Sequence, residues 1–94
     1  MQKELKADLI DGRFTPEDAR ELLMDLFSKK ANFHEVKNFS ANERFGKDDP
    51  HHLHRIEALT RNMEQIKSFC RELEAGGKQV RIHSVVNIEI SEAE

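Results

Sequence analysis

The sequence predicts a small α+β domain, a two-layer sandwich in which two main helices cover one face of about three strands, in the order β-α-β-α-β. Apolar and polar residues alternate near the start of the chain and over residues 80–90, as they do in strands. Two segments between them repeat apolar residues every three or four positions, as helices do. With 94 residues, the chain is expected to form a single domain over 1–94.

The first strand is predicted near the amino terminus. Apolar side chains alternate there with charged ones, at Leu5, Ala7 and Leu9. Ile10 breaks this period of two, and the Asp11-Gly12 pair that follows is typical of a turn. We therefore expect a short strand that ends at the turn.

A first helix is predicted from residue 16 to about residue 29. Thr15 can cap its free amide groups, and Pro16 suits the first helical position, where no N–H is needed. One face of this helix is apolar, formed by Ala19, Leu22, Leu23, Leu26 and Phe27. We expect that face to belong to the core.

Residues 31–39 give an ambiguous pattern. Phe33, Val36 and Phe39 recur every third residue, which fits neither a regular strand nor a long helix. We interpret this segment as a short strand, with Phe33 and Phe39 in the core. The Ser40–Glu43 segment matches a capping box, which predicts a single helical turn that ends at Gly46 and connects to the next element.

The second half of the chain has the clearest periodicity. Asp49-Pro50 predicts a helix start, and apolar spacings of four and three from His52 to Leu73 predict a helix of about 25 residues that ends at Gly76-Gly77. Its apolar stripe keeps a seven-residue period over three heptads, as in a coiled coil. Residues 80–90 then predict a long strand with one apolar face, and right-handed crossovers would make neighbouring strands parallel. The acidic end, residues 91–94, is expected to be frayed.

Composition narrows the function. The chain is 37% hydrophobic and 35% charged, with a net charge of -3, which argues against nucleic-acid binding through bulk positive charge. No apolar run has the length of a membrane span or a secretory signal, so we expect no membrane association. A single cysteine forms no internal disulfide, which favours the cytoplasm.

One segment concentrates side chains that can bind a ligand. Cations and imidazoles surround the start of the second long helix, at Arg44, Lys47, His51 and His54. A helix amino terminus offers free N–H groups and a partial positive charge, so we predict that any small anion or metal bound by the protein contacts at least one of these four residues. Asp49 weighs against this hypothesis, because an aspartate cap uses the same N–H donors.

Metal binding is the alternative for the same segment. His51 and His54 lie three residues apart on one helical face, with Asp48 or Glu43 as oxygen ligands. Two ligands do not make a site, and the spaced signatures of zinc proteins are absent from the sequence. We therefore predict no metal and no cofactor.

The sequence favours a role without catalysis. Cys70 lies on the apolar stripe, where a thiol stays protonated, and no catalytic or phosphate-binding motif is present. A long amphipathic helix and a long apolar strand predict a cytoplasmic protein-interaction or regulatory module that forms a homodimer or binds a protein partner. The alternative is an anion- or metal-binding protein or an enzyme that uses Arg44, Lys47, His51 and His54.

Overall fold

The computed structural model describes residues 2–92, which form two strands and two helices in the order β-α-α-β. The elements are β1 (Glu4–Phe14), α1 (Pro16–Phe45), α2 (Pro50–Glu74) and β2 (Val80–Glu89). The strands pair in one antiparallel sheet, and the helices pack along each other as a hairpin. The predicted β-α-β-α-β order with about three strands, some of them parallel, is therefore wrong.

The error lies in residues 31–45, which continue α1 as a helix. Neither glycine nor proline occurs between Pro16 and Gly46, so nothing in the backbone interrupts the hydrogen-bonded ladder. Ala31 and His34 are buried against α2, whereas Phe33 and Phe39 are exposed. The predicted strand, the capping box inside the helix and the assignment of Phe33 and Phe39 to the core are all wrong.

The predicted helix ends are confirmed where they rest on cap chemistry. The Asp18 amide donates to the Thr15 hydroxyl oxygen (3.1 Å) at the start of α1. At its end, Gly46 adopts a left-handed φ of 72°, and its N–H donates to the Asn42 carbonyl oxygen (2.7 Å). Only glycine takes this conformation without strain, so α1 stops there. The α2 helix spans 25 residues, as predicted.

The strand pair has one apolar and one polar face. Leu5 pairs with Ile88 and Ala7 with Val86, and a register shift between Asp8 and Ile10 then occurs. Because this β-bulge leaves Leu9 unpaired, Ile10 returns to the face of Leu5, and β1 continues through the Asp11-Gly12 pair instead of turning. The apolar strand face comprises Leu5, Ala7, Ile10, Gly12, Phe14, Val80, Ile82, Ser84, Val86 and Ile88.

The molecule is a single layer, not the predicted sandwich of two layers. Its dimensions are 50 × 39 × 14 Å, and the strands make few contacts with the helices, so the helices do not cover the sheet as a second layer. A helix of 30 residues and a strand of 11 residues laid end to end would span about 80 Å, so the strand pair turns at a wide angle to the helices. The core is correspondingly small, with Leu59 and Cys70 among its buried residues.

Candidate functional site

The tip of the helical hairpin, residues 45–52, holds two of the four predicted ligand-binding residues, Lys47 and His51, and the other two flank it. Asp49 caps α2 by accepting from the His51 amide (2.9 Å). Its own amide donates to the Asn38 side-chain oxygen (2.7 Å). One of the donors that an anion would use at this helix terminus, the His51 amide, is therefore already engaged by Asp49, as its position before Pro50 predicts.

The neighbouring carboxylate is engaged as well. Asp48 accepts hydrogen bonds from the side-chain amides of Asn38 (3.2 Å) and Asn42 (2.9 Å). These bonds tie the turn between the helices to the last turns of α1. The tip is thus fixed by polar contacts within the chain, and its carboxylates partly cancel the charge of Arg44 and Lys47.

The four predicted ligand-binding residues lie on both sides of the turn between the helices, with Arg44 in α1, Lys47 in the turn, and His51 and His54 in α2. Arg44 lines a shallow groove of about 340 Å³ together with Lys37, Asp49 and His52. Lys47 and His54 are exposed, and His51 lies in the first turn of α2. Ligand binding by Arg44, Lys47, His51 and His54 therefore stays a prediction, which phosphate or zinc titration followed by backbone amide shifts would check.

The structure brings His51 together with two other imidazoles, His34 and His52, as a histidine cluster. The ring centroids of His51 and His52 lie 5.2 Å apart, as do those of His34 and His52, and His34 lies 6.2 Å from His51. The Nδ1 atoms of His34 and His52 are 2.9 Å apart. At that distance one nitrogen donates a proton and the other accepts it.

The surroundings indicate which imidazole donates. The Asp49 carboxylate lies 3.8 Å from Nε2 of His52, which favours a proton on that nitrogen and leaves Nδ1 of His52 as the acceptor. With that tautomer of His52, His34 donates from Nδ1. Nε2 of His34 is buried and makes no hydrogen bond within the described part of the chain. Burial lowers the pKa of His34 from its usual value, and the charges of Lys30, His52, Arg55 and His51 lower it further. These causes all favour the neutral form of the His34 imidazole.

Sequence reasoning missed His34 because it placed residues 31–39 in a strand. Positions 23, 27, 31, 34 and 38 recur at the helical spacings of four and three, so the signal was present. Its buried members in the second half of α1 are Ala31 and His34, not large apolar residues. An apolar pattern alone does not show such a face.

A second group of possible metal ligands lies on the polar strand face. Asp8, Asp11 and His83 each offer one ligand atom, and these atoms lie within 4.8 Å of one another. All three residues are exposed, His83 already contacts Asp8 (3.2 Å), and the Arg81 guanidinium lies 3.6 Å from Asp11. An exposed group with its own cation nearby is an ordinary surface ion-pair network.

The remaining feature is apolar. A groove of about 470 Å³ lies where β2 meets the helices, lined by side chains that include Leu23, Phe27, Ile66, Val80 and Ile82. Cys70 borders this groove but is buried, and burial raises the pKa of its thiol, which keeps it protonated and unreactive. Beyond the groove, the apolar strand face continues to Val86, Ile88 and Leu5, which are exposed.

Comparison of the chain with protein-family models, with curated proteins and with solved structures gives no significant match. Among the described residues, neither helix is apolar over a length that would cross a bilayer.

Proposed function

We propose that this protein is a self-associating interaction module whose partner is a second copy of the same chain. The observation that carries the proposal is the amount of surface that one chain leaves exposed. Its accessible surface is 7677 Å². A compact monomer of 10.9 kDa exposes about 5,600 Å², so one chain exposes about 2,100 Å² more than expected.

The excess is of the size that a permanent dimer buries. Standard interfaces remove about 800 Å² from each partner, and obligate homodimers remove more. The radius of gyration points the same way. It is 16.9 Å, whereas a compact chain of 94 residues has about 12 Å and a compact assembly of twice that length has about 16 Å.

The type of exposed surface supports the same conclusion. Large apolar side chains are exposed on both helices and both strands, among them Leu9, Phe39, Phe69 and Ile88. Apolar surface in such amount marks an interaction site. A two-stranded sheet is also marginally stable alone and needs a third element or a packed face to persist.

Light scattering across a hundredfold dilution tests the proposal, with small-angle X-ray scattering as a shape measurement on the same samples. We expect the mass of two chains at concentrations above about 10 µM, because an interface of this size holds with micromolar affinity or better. The mass of one chain throughout that range would contradict self-association.

A further inference from the structure

We infer that the second copy covers the distal half of the apolar strand face, formed by Leu5, Ala7, Val86 and Ile88. This inference rests on the proposed self-association and assigns the surface that carries it. The two halves of the same face differ in what covers them. In the proximal half, Ile10 is buried and Val80 and Ile82 line the groove against the helices. In the distal half, Leu5, Val86 and Ile88 are exposed.

The pairing register shows that this exposure is one continuous surface. Residues directly opposite each other in an antiparallel pair point to the same side, so the Leu5–Ile88 and Ala7–Val86 pairs form one apolar patch. The bulge at Leu9 keeps this patch in phase with Ile10 and the groove. The distal patch is therefore an extension of the chain's own core that runs beyond the helices.

The opposite face of the strand pair is polar, so a partner is not expected to cover both faces of the strands. It carries the charged residues Glu4, Lys6, Asp8, Asp11, Arg13, Arg81 and Glu89, together with His83. Both signs are interspersed there, as on a solvated surface. One face of the strand pair is thus available to a partner and the other faces water.

A second copy of the chain fits this patch better than a charged partner does. The distal patch has no charged residue, so a strongly acidic or basic partner would find no complementary group on it. Two copies related by a two-fold axis would place apolar face against apolar face. That arrangement converts two single layers, each 14 Å thick, into the two packed layers from which domains are normally built.

Adjacent valines on β2 provide a matched pair of variants. Val86 is 38% exposed on the apolar face, and Val85 is 41% exposed on the polar face opposite Asp8. We expect Val86→Lys to raise the dimer dissociation constant at least tenfold in sedimentation or light-scattering dilution series. Val85→Lys changes the same residue to the same charge and should leave the constant within about twofold of the unaltered protein, since its lysine meets solvent and Asp8. Equal dissociation constants for the two variants would overturn the inference.

A measurement on the unaltered chain keeps the test decisive if Val86→Lys fails to fold. A mixture of ¹³C-labelled and unlabelled chains gives intermolecular nuclear Overhauser effects only across the interface. We expect them at the methyl groups of Leu5, Val86 and Ile88 and not at Val85. A dimer whose intermolecular effects are confined to the helices would overturn this inference and leave the proposed function intact. A monomer at all concentrations would overturn both this inference and the proposed function. The same holds for a monomer whose strand methyl signals shift only when phosphatidylcholine vesicles are added, since the apolar patch would then bind lipid instead of a second copy.

Discussion

The two ends of the molecule differ in whether their side chains find partners within the chain. At the tip of the helical hairpin, Asp48 and Asp49 find donors within the chain, and His34 and His52 bind each other. At the far end, the strand pair leaves Val86 and Ile88 exposed. The carboxylates of the first end find their donors in one copy of the chain, where Nε2 of His34 alone is buried without a hydrogen bond, and the second end has an apolar face without a cover among the described residues.

On the proposed self-association, this difference predicts that stability and association reside in different parts of the molecule. A polar group leaves water at low cost only when its hydrogen bonds are replaced, so the polar groups of the tip need partners within the same chain. Apolar side chains have no such directional requirement, and any apolar partner can cover them. We therefore expect the helical hairpin to set the fold of one chain and the strand pair to set its assembly.

The largest expected effect is on the helical hairpin's own core. Leu59 is 5% exposed, and Leu59→Ala should lower the free energy of unfolding by about 2 to 5 kcal/mol through lost burial and the cavity left behind. Leu53 lies on the same helix and is 43% exposed, so Leu53→Ala is the matched control, with an expected loss below about 1 kcal/mol. Urea unfolding followed by circular dichroism at one fixed protein concentration measures both. Equal losses would show that the helical hairpin has no core of its own.

A smaller effect is expected at the tip. Asp49→Ala removes the side-chain oxygen that accepts from the His51 amide and should cost about 1 kcal/mol of the free energy of unfolding. Glu57→Ala, at an exposed position of the same helix, should change it by less than about 0.5 kcal/mol. Thermal or urea unfolding distinguishes the two. A cap loss that also changed the dimer dissociation constant would contradict the separation of tip and strand pair.

An ion pair at the end of the helical hairpin away from the tip should contribute less to the free energy of unfolding than the Asp49 cap. The Arg20 guanidinium lies 3.0 Å from the Glu74 carboxylate, and both side chains are partly exposed. A double-mutant cycle with Arg20→Ala and Glu74→Ala should give a coupling energy of about 0.2 to 1 kcal/mol, reduced in high salt because solvent ions screen the pair. A coupling energy that did not fall with salt would argue against an exposed ion pair.

The smallest expected effect is a change in how the free energy of unfolding depends on pH when His34 is replaced. The folded chain lowers the pKa of His34, so the unfolded chain takes up this proton first as the pH falls through about 6.5. The contribution of neutral His34 to stability is therefore present above that pH and is lost on acidification. We expect the free energy of unfolding to fall less between pH 7.5 and 5.5 in His34→Gln than in the unaltered chain. Urea unfolding at each pH measures both chains, and an equal fall in the two would contradict this prediction.

The sequence predicted α2 with correct ends because two independent signals agree there. A regular apolar stripe marks the helix, and Asp49-Pro50 marks its start. In α1 only the first half has that stripe. The second half is buried through Ala31 and His34, and its exposed Phe33 and Phe39 gave a misleading pattern. The contact with α2 determines which face of this half of α1 is buried, and the sequence pattern does not reveal that contact.

The strands and the candidate site had the same limit. Asp11-Gly12 is a turn signal by its local preference, but pairing with Ile82 and His83 holds it in a strand, so tertiary contact overrides propensity. His51 was found because it lies in a visible cluster along the chain. Its neighbour His34 is 17 positions earlier and reaches it only through the register of the two helices.

The bulge at Leu9 also determines how the gene can change without loss of the fold. Upstream of Leu9 the residues on the apolar face are odd-numbered, and downstream they are even-numbered. This one residue therefore shifts the alternation of the strand by one position. If Leu9 were paired and the bulge lost, residues 4–8 would turn over, sending Lys6 and Asp8 to the apolar side and Leu5 to water. Deleting its codon would instead join Asp8 directly to Ile10 and leave residues 4–8 with their present partners and faces, in a ladder without a bulge. Replacing Leu9 with another side chain also leaves the faces unchanged, so at this position the strand tolerates a deletion as well as a substitution.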